Sequence, residues 1–264
     1  MSRNDLKIKI GVIGIGHLGS ALVEGFVKAG FNSKNLFLSN QAGDNRKIVE
    51  SSDYIVIAVK PIDVGDVFIE IKDILKGKII ISCVTGVSVK YLESFFPYNL
   101  KIVRIMPNIP VSINKGVMGV YFSKLTTTTD KNKVKEIFSS LGEVVEVQNE
   151  HDIDLITLIG GCGPAIVSYF VSLFENYAKL NKLDKTVAKK IALGTFAGTL
   201  EYLKERNISS LGLQQSVATK AGVTAEILSK FDEGDMYKVF QNGFNTGKTK
   251  IEEIKSIFDN RLPK

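Results

Sequence analysis

An α/β domain built around a mainly parallel sheet, followed by an all-α domain, is the fold class this sequence predicts. Three observations predict it. Up to about residue 148, short β-rich apolar runs alternate with helical patterns, as they do when helices cover both faces of a parallel sheet. The first of these runs leads directly into a glycine-rich turn and an amphipathic segment. From Asp152 to about Ile257 the apolar residues recur at i, i+3, i+4 spacing almost throughout, for example Val187 with Ile191 and Leu200 with Leu203. The change of texture at Asn149 divides the chain into residues 1–149 and 150–264. With 264 residues, 44% of them hydrophobic, the chain is long enough to bury a sizeable core.

The opening run "KIKIGVIGIGHLGSALVEGFVKAG" places Gly14, Gly16 and Gly19 in G-x-G-x-x-G spacing after a strand and before a helix that closes at Gly30. Gly14 permits the tight turn, Gly16 lets a pyrophosphate approach the backbone, and Gly19 lets helix and strand pack closely. The free N–H groups at the start of the helix face the anion. This context makes the first domain a Rossmann-type dinucleotide-binding domain, and it makes Ile13, Gly14, Ile15, Gly16, His17, Leu18 and Gly19 candidate cofactor contacts. The second strand, "LFLSN", ends in Ser39 and Asn40, where an NAD-preferring site usually carries Asp or Glu. Neutral residues there, with Arg46 and Lys47 nearby, tolerate a 2′-phosphate, so NADP(H) is favoured and NAD(H) remains possible. Only fifteen residues separate Leu38 from Tyr54, which predicts that the usual second helix is nearly absent.

The next strands, "YIVIAVK", "KIIISCV" and "KIVRIMP", end in "AVKP" (58–61), "SCVTGV" (82–87) and "RIMPNIP" (104–110), and "GVMGVYF" and "GEVVEVQ" complete the set. Ligands of open α/β sheets bind beyond the carboxyl ends of the strands. Lys60 and Pro61 follow a buried strand that they cannot comfortably extend, which sets a loop over a cofactor; Lys60 as a surface lysine is the alternative. Cys83 has no neighbouring base or cationic cluster in sequence and is expected to pack rather than act as a nucleophile. "TTTTD" (126–130) has the form of a loop ending in a helix N-cap.

In the second domain, "GPAIVSYFVSLFENYA" (163–178) carries more apolar residues than one helix stripe can hold, so a partner subunit is expected to cover a second face. "GGCGPA" (160–165) opens this helix, with Pro164 suited to its first turn. Farther on, "SVATKAGVTAE" (216–226) gathers small and hydroxyl residues around Gly222 and interrupts the helical pattern. It reads either as a simple helix–helix connection capped by Thr224 or as a substrate grip.

Several classes are disfavoured. The formal charge of +6 comes from lysines spread along the chain, without an aromatic-interleaved basic patch, so nucleic acid is not expected as a partner. The longest apolar stretch, 155–174, has Gly and Pro near its middle, so no membrane span is expected. The N-terminus lacks a signal-peptide pattern, and a cytoplasmic location is the default expectation. Cys83 and Cys162 stand far apart and form neither a disulfide framework nor a CxxC site, and no metal cluster is in view. His17 within the glycine loop and His151 at the domain junction are not placed as acid/base catalysts.

On these motifs the chain resembles the pyrroline-5-carboxylate reductases, which make proline by reducing a cyclic imine with NAD(P)H. The resemblance covers the glycine loop, "VKP", "SCVTGV", "RIMPNIP", "GGCGPA" and the 216–226 segment. It implies that the dinucleotide lies against Ile13 to Leu18, Ser39, Ala58, Val59, Lys60, Pro61, Cys83, Val84 and Thr85, with Met106, Pro107 and Asn108 near the nicotinamide. It also implies that Thr224 matches the threonine whose hydroxyl bonds the ring nitrogen, and that Thr219 matches the serine beside the carboxylate. Ser216, Lys220, Gly222 and Val223 complete the implied substrate contacts. The family pattern Ser-Pro-Gly-Gly-x-Thr becomes Thr219, Lys220, Ala221, Gly222, Val223, Thr224, so a proline and the first glycine are replaced, and an upstream asparagine becomes Ser216. Lys220 either pairs with the substrate carboxylate or blocks the site.

The lysine that related hydroxyacid dehydrogenases carry one turn along the "GGCGPA" helix is replaced by Ser168 and Tyr169, which argues against alcohol oxidation. A protonated C=N is already electrophilic, so its reduction needs positioning and an anion grip more than an acid/base pair. The resemblance therefore implies reduction of 1-pyrroline-5-carboxylate to L-proline, the last step of proline biosynthesis, by a homodimer or an oligomer of dimers acting on a small carboxylated imine. Two alternatives stand beside it: a paralogous reductase of a different cyclic imine or carbonyl, and a non-catalytic NADP-binding regulatory protein.

Overall fold

The computed structural model describes residues 8–39, 45–96 and 98–261. Among them, seven strands form one sheet: β1 (Ile10–Ile13), β2 (Leu36–Ser39), β3 (Tyr54–Ile57), β4 (Ile79–Ser82), β5 (Lys101–Met106), β6 (Gly116–Phe122) and β7 (Gly142–Glu146), in spatial order β2-β1-β3-β4-β5-β6-β7. All seven runs expected from the sequence are strands. The first five are parallel, β6 is antiparallel to β5, and β7 is parallel to β6. A parallel neighbour requires a crossover, usually helical, whereas an antiparallel one does not. The β5–β6 link has only the 3-10 turn Ile109–Ile113, and that is where the direction reverses.

Helix α1 (His17–Lys28) shows how local sequence builds the first crossover. Its buried residues, Gly19, Ala21, Leu22, Gly25 and Phe26, recur at helical spacing; Ala21, Leu22 and Phe26 join the core on one face of the sheet, and Gly25 lies against Val111 of the 3-10 turn. The helix stops in a left-handed cap at Gly30, with φ +88°. There Phe31 N–H bonds Phe26 O and Gly30 N–H bonds Val27 O, each at 3.0 Å, and the Phe31 ring packs edge-on against Phe26 at 5.1 Å. The expected cap in "TTTTD" is also present. Thr127 precedes α5 (Thr128–Phe138), and Thr127 and Asp130 exchange hydrogen bonds in a capping box.

Between β2 and β3 stands α2 (Asn45–Ser51), a two-turn helix. The short spacing was expected to leave almost no helix there. Seven residues suffice because the crossover spans only β1 before the chain enters β3. β2 is consequently an edge strand, and the strand that commonly lies beyond it in dinucleotide-binding sheets has no counterpart among the described residues.

The core lies on both faces of the sheet. Phe26, Val103, Ile105 and Phe138 belong to one cluster, which includes residues of α1 and α5. Ile55, Ile57, Phe68, Leu92 and Ile102 belong to the other, which includes residues of α3 (Val64–Ile71) and α4 (Val89–Glu93) together with Phe258. Alternate residues of β5 thus supply opposite faces, as the two-residue period of a strand requires.

The remaining helices are α6 (Asp152–Ile156), α7 (Gly163–Leu180), α8 (Lys185–Arg206), α9 (Ser210–Val217), α10 (Val223–Glu233) and α11 (Met236–Asp259), with a π-helical turn, Thr157–Gly161, between α6 and α7. The chain divides into two compact units: residues 1–164 with 247–264, and residues 165–246. The first unit therefore takes in α6 and the final turns of α11 besides the sheet, so it extends past the expected cut at 149/150. In the second unit, Asp184 caps α8 by accepting from Thr186 and Val187 N–H, and Ser209 caps α9. Its apolar side chains stay largely exposed within the chain, with Tyr169, Phe174 and Leu200 at 62%, 50% and 58%. The stretch 152–180 is long and apolar enough by length and composition to cross a membrane, with a mean hydropathy of 1.7, but the π-helical turn and the bend at Cys162 interrupt its regular helix.

Phe138 is fully buried, with its ring 5.7 Å from that of Phe26. Phe138→Ala is expected to cost about 3–5 kcal/mol of folding stability. Urea unfolding of wild type and variant checks this, and a loss below about 1 kcal/mol would show that the cluster repacks around the gap.

Candidate active site

The parallel register brings the exits of four strands to one edge of the sheet. Ile13 pairs with Ile57, Ile57 with Ser82, and Ser82 with Arg104, and the ladder continues past the strands as Ala58 N–H bonds Ile13 O at 2.8 Å and Cys83 N–H bonds Ile57 O at 2.9 Å. Ile13–Gly19, Ala58–Pro61, Cys83–Thr85 and Met106–Asn108 thus emerge side by side. The crossovers diverge between β1 and β3, which is the switch point where a dinucleotide binds in a sheet of this order.

The glycine loop fits a dinucleotide. Gly14 has φ +97°, and a Cβ on it would lie 2.7 Å from the Ala58 carbonyl. A Cβ on Gly19 would lie 1.9 Å from Gly14 O, so these two glycines allow α1 and the exits of β1 and β3 to touch through backbone. Around Gly16 the space is open to 4 Å. Gly16 is the N-cap of α1, where the first-turn N–H groups have no acceptor within the helix, and the loop leaves room for an anion. His17 and Lys60 are exposed, and Leu18 is half-buried. Lys60 caps the 3-10 turn Pro61–Asp63, so Pro61 bends the chain off the end of β3.

At the end of β2, Ser39 is buried and its hydroxyl donates to Asn45 Oδ1, while Asn45 Nδ2 donates to Glu70 at 2.6 Å. Asn40 lies outside the described residues. Arg46 makes paired bonds of 2.7 and 2.8 Å to Asp73 and a third to the Glu70 carbonyl, which ties α2 to α3. These hydrogen bonds hold the Asp73 carboxyl down at about 2. A role for Arg46 at a 2′-phosphate thus competes with this pairing. Cys83 is buried, and burial pushes its thiol up to about 12, far from the thiolate a nucleophile needs.

Asn108 is occupied by the protein itself. Its Oδ1 accepts Val117 N–H at 3.0 Å and its Nδ2 donates to Gly160 O at 3.2 Å, so it fastens the β5 exit to the π-helical turn. A Cβ on Gly161 would sit 3.8 Å from Met106, so this glycine backs the same exit. Sequence reasoning missed the buried Arg104 in β5, which meets Glu150 at 3.0 Å and Asp154 at 3.4 Å. Its signal was present: an arginine in the middle of a strand buried on both faces must find acids somewhere.

The 216–226 segment belongs to the second compact unit. Ser216 Oγ donates to Leu213 O at 2.8 Å and is used within α9. Residues 219–222 form a tight turn closed by Gly222 N–H to Thr219 O at 2.9 Å. Ala221 has φ +58°, and a positive φ at the third turn position alone is the type II pattern, which favours Pro then Gly at the two central positions. Lys220 and Ala221 hold those positions here. A Cβ on Gly222 would lie 2.4 Å from Thr219 Oγ1, which explains why this glycine is kept. Gly222, rather than Thr224, is the N-cap of α10, so the Thr224 hydroxyl is not a helix cap; Thr224 is half-buried in the first turn beside exposed Val223.

A glycine loop at the switch point of a parallel sheet, followed by a helical unit, defines the class of NAD(P)-dependent oxidoreductases. The model for pyrroline-5-carboxylate reductase dimerisation matches residues 150–254, and that for NADP oxidoreductase, coenzyme F420-dependent, matches residues 32–86. The structure of Plasmodium falciparum pyrroline carboxylate reductase with NADP bound superposes with a TM-score of 0.89 at 30% identity, over 97% of this chain and 99% of that one. The pyrroline-5-carboxylate reductase of Methanosarcina acetivorans is 29% identical over 93% of this chain and 97% of its own, and that of Corynebacterium melassecola is 28% identical over 93% and 98%. The chain belongs to the pyrroline-5-carboxylate reductase family.

Two glycine substitutions separate cofactor space from packing. Gly16→Ala is expected to leave the melting temperature within about 1 °C of wild type and to weaken NADPH binding roughly tenfold, whereas Gly19→Ala lowers both. Calorimetry and titration of NADPH fluorescence check this. Separately, Ala221→Gly relieves a left-handed alanine and is expected to gain about 1 kcal/mol in urea unfolding, while a loss would mean that the flexibility of glycine in the unfolded chain outweighs the strain.

Proposed function

We propose that the protein reduces 1-pyrroline-5-carboxylate to L-proline with NADPH as reductant, the last step of proline biosynthesis. The observation that carries this reading is the pairing, in one chain, of the glycine-loop edge with the Thr219–Thr224 turn, in a fold shared along nearly its whole length with an NADP-bound pyrroline carboxylate reductase. Bound NADPH supplies a hydride. The residues of the chain supply position. The first-turn N–H groups of α1 and the open space at Gly16 receive the pyrophosphate, and the strand exits at 58–61, 83–85 and 106–108 line the edge on which the dinucleotide rests.

For the imine, α10 presents N–H groups at Val223, Thr224 and Ala225 that precede its first internal bond, from Glu226 N–H to Gly222 O. With the Thr219 hydroxyl, these donors suit a carboxylate. The Thr224 hydroxyl oxygen accepts the N–H of the protonated imine and holds its positive charge at the ring nitrogen, which leaves the adjacent carbon electron-poor. The Lys220 ammonium, exposed on the turn, adds attraction for the same carboxylate. The departures at Lys220 and Ala221 favour one competing reading, a paralogue acting on a different cyclic imine.

We read the assembly as a homodimer. The match to a dimerisation model over 150–254 and the exposed apolar side chains of α7 and α8 support it. We also read the enzyme as cytoplasmic, and the free thiols of Cys83 and Cys162 are compatible with a reducing compartment.

With pyrroline-5-carboxylate and NADPH, absorbance at 340 nm is expected to fall with wild-type protein. Thr224→Ala is expected to lower kcat about 10²-fold or more with little change in the KM for NADPH. Binding of NADPH without turnover of this imine would overturn the assignment, and turnover of another cyclic imine would favour the paralogue.

A further inference from the structure

Arg104 is 2% exposed between the fully buried Val103 and Ile105 of β5, and a guanidinium so placed needs counter-charges and hydrogen-bond acceptors. It has both. Its Nη1 donates to Glu150 Oε1 at 3.0 Å and its Nη2 to Asp154 Oδ1 at 3.4 Å. Each acid is shared. Glu150 Oε1 also accepts Val89 N–H, at the first residue of α4, at 2.7 Å, and Asp154 Oδ2 accepts Lys255 Nζ of α11 at 2.7 Å. Two cations and two anions therefore form one charge-balanced cluster within the sheet unit.

What the cluster touches gives it a role. Met106, at the β5 exit, lies two residues beyond Arg104. Val89 closes the loop Cys83–Ser88 that leaves β4. In that loop Gly86, at φ +72°, leaves no room for a Cβ, which would lie 2.6 Å from Ile254, the residue before Lys255. Glu150 and Asp154 flank the start of α6, which runs into the π-helical turn whose Gly160 carbonyl accepts from Asn108. The cluster thus fastens the β4 exit, the β5 exit, the π-helical turn and the last helix to a single guanidinium.

We propose that Arg104 is a positioning residue which, through Glu150 and Asp154, sets the spacing of the 83–87 and 106–108 loops and so the affinity for the nicotinamide dinucleotide. It touches neither cofactor nor substrate. This rests on the cofactor reading above and is independent of which imine is reduced. Lysine at 104 keeps the charge but not the two-pronged geometry, and glutamine at 150 keeps the acceptor for Val89 N–H but loses the charge that Arg104 meets.

NADPH fluorescence titration tests this without any imine. Arg104→Gln and Glu150→Gln are expected to raise the Kd for NADPH about 10- to 100-fold, with Arg104→Lys falling between them and wild type. In the absorbance assay with pyrroline-5-carboxylate the KM for NADPH rises while the KM for the imine holds. Val134→Ala, in α5 on the opposite face of the sheet, is the control for a purely structural loss, and it should lower the melting temperature without moving the Kd. A wild-type Kd in both Arg104→Gln and Glu150→Gln would overturn the proposal, as would an equal rise in Val134→Ala. If Arg104→Gln does not fold, Glu150→Gln and Arg104→Lys decide on the same criterion. Wild type that binds NADPH yet leaves pyrroline-5-carboxylate untouched would sink the substrate assignment and leave this test standing.

Discussion

The rest of the structure depends on a contact without side chains. Where α1 begins, Gly19 rests on the Gly14 carbonyl, and Gly14 rests on the Ala58 carbonyl at the exit of β3. Any side chain at either glycine would push the first helix away from the first and third strands. With the helix seated this closely, its first-turn N–H groups stand directly over the edge where four strand exits align, and Gly16 faces open space. Backbone proximity at Gly14 and Gly19 seals the core, and the open space beside Gly16 leaves room for an anion at the helix start.

Polar groups placed under that edge extend the constraint sideways. Asn108 and Arg104 connect the strand exits to α6, the π-helical turn and α11. A buried ion cluster adds little net stability compared with well-packed apolar side chains, because desolvation offsets much of its attraction. Its use here is directional. Hydrogen bonds specify angles and distances between loops that dispersion alone would leave free to slide.

The turn before α10 follows a different physical logic. Residues 219–222 keep the type II shape with residues less suited to it than Pro and Gly, a lysine where proline would preset φ and an alanine where glycine would relax a left-handed backbone. The shape survives because Gly222 retains the close approach to Thr219 and opens α10 in extended backbone. What the replacement adds is a positive charge exposed on the turn.

The sequence by itself determined the seven strands, the glycine loop, the helical second half and most of the candidate cofactor residues. These follow from periodicity, from glycine spacing and from strand exits, all of which are local properties of the chain. It also carried the Thr219–Thr224 pattern, but it left the cap on α10 open between Thr224 and the glycine before it. Only tertiary structure decided the rest. It gave α2 its two turns, placed the final turns of α11 with the sheet unit, turned Arg46 toward Asp73, engaged Asn108 with Gly160 and joined Arg104 to acids 46 and 50 residues away. Those pairings depend on which distant elements the sheet order makes neighbours, and no local pattern of residues encodes that distance.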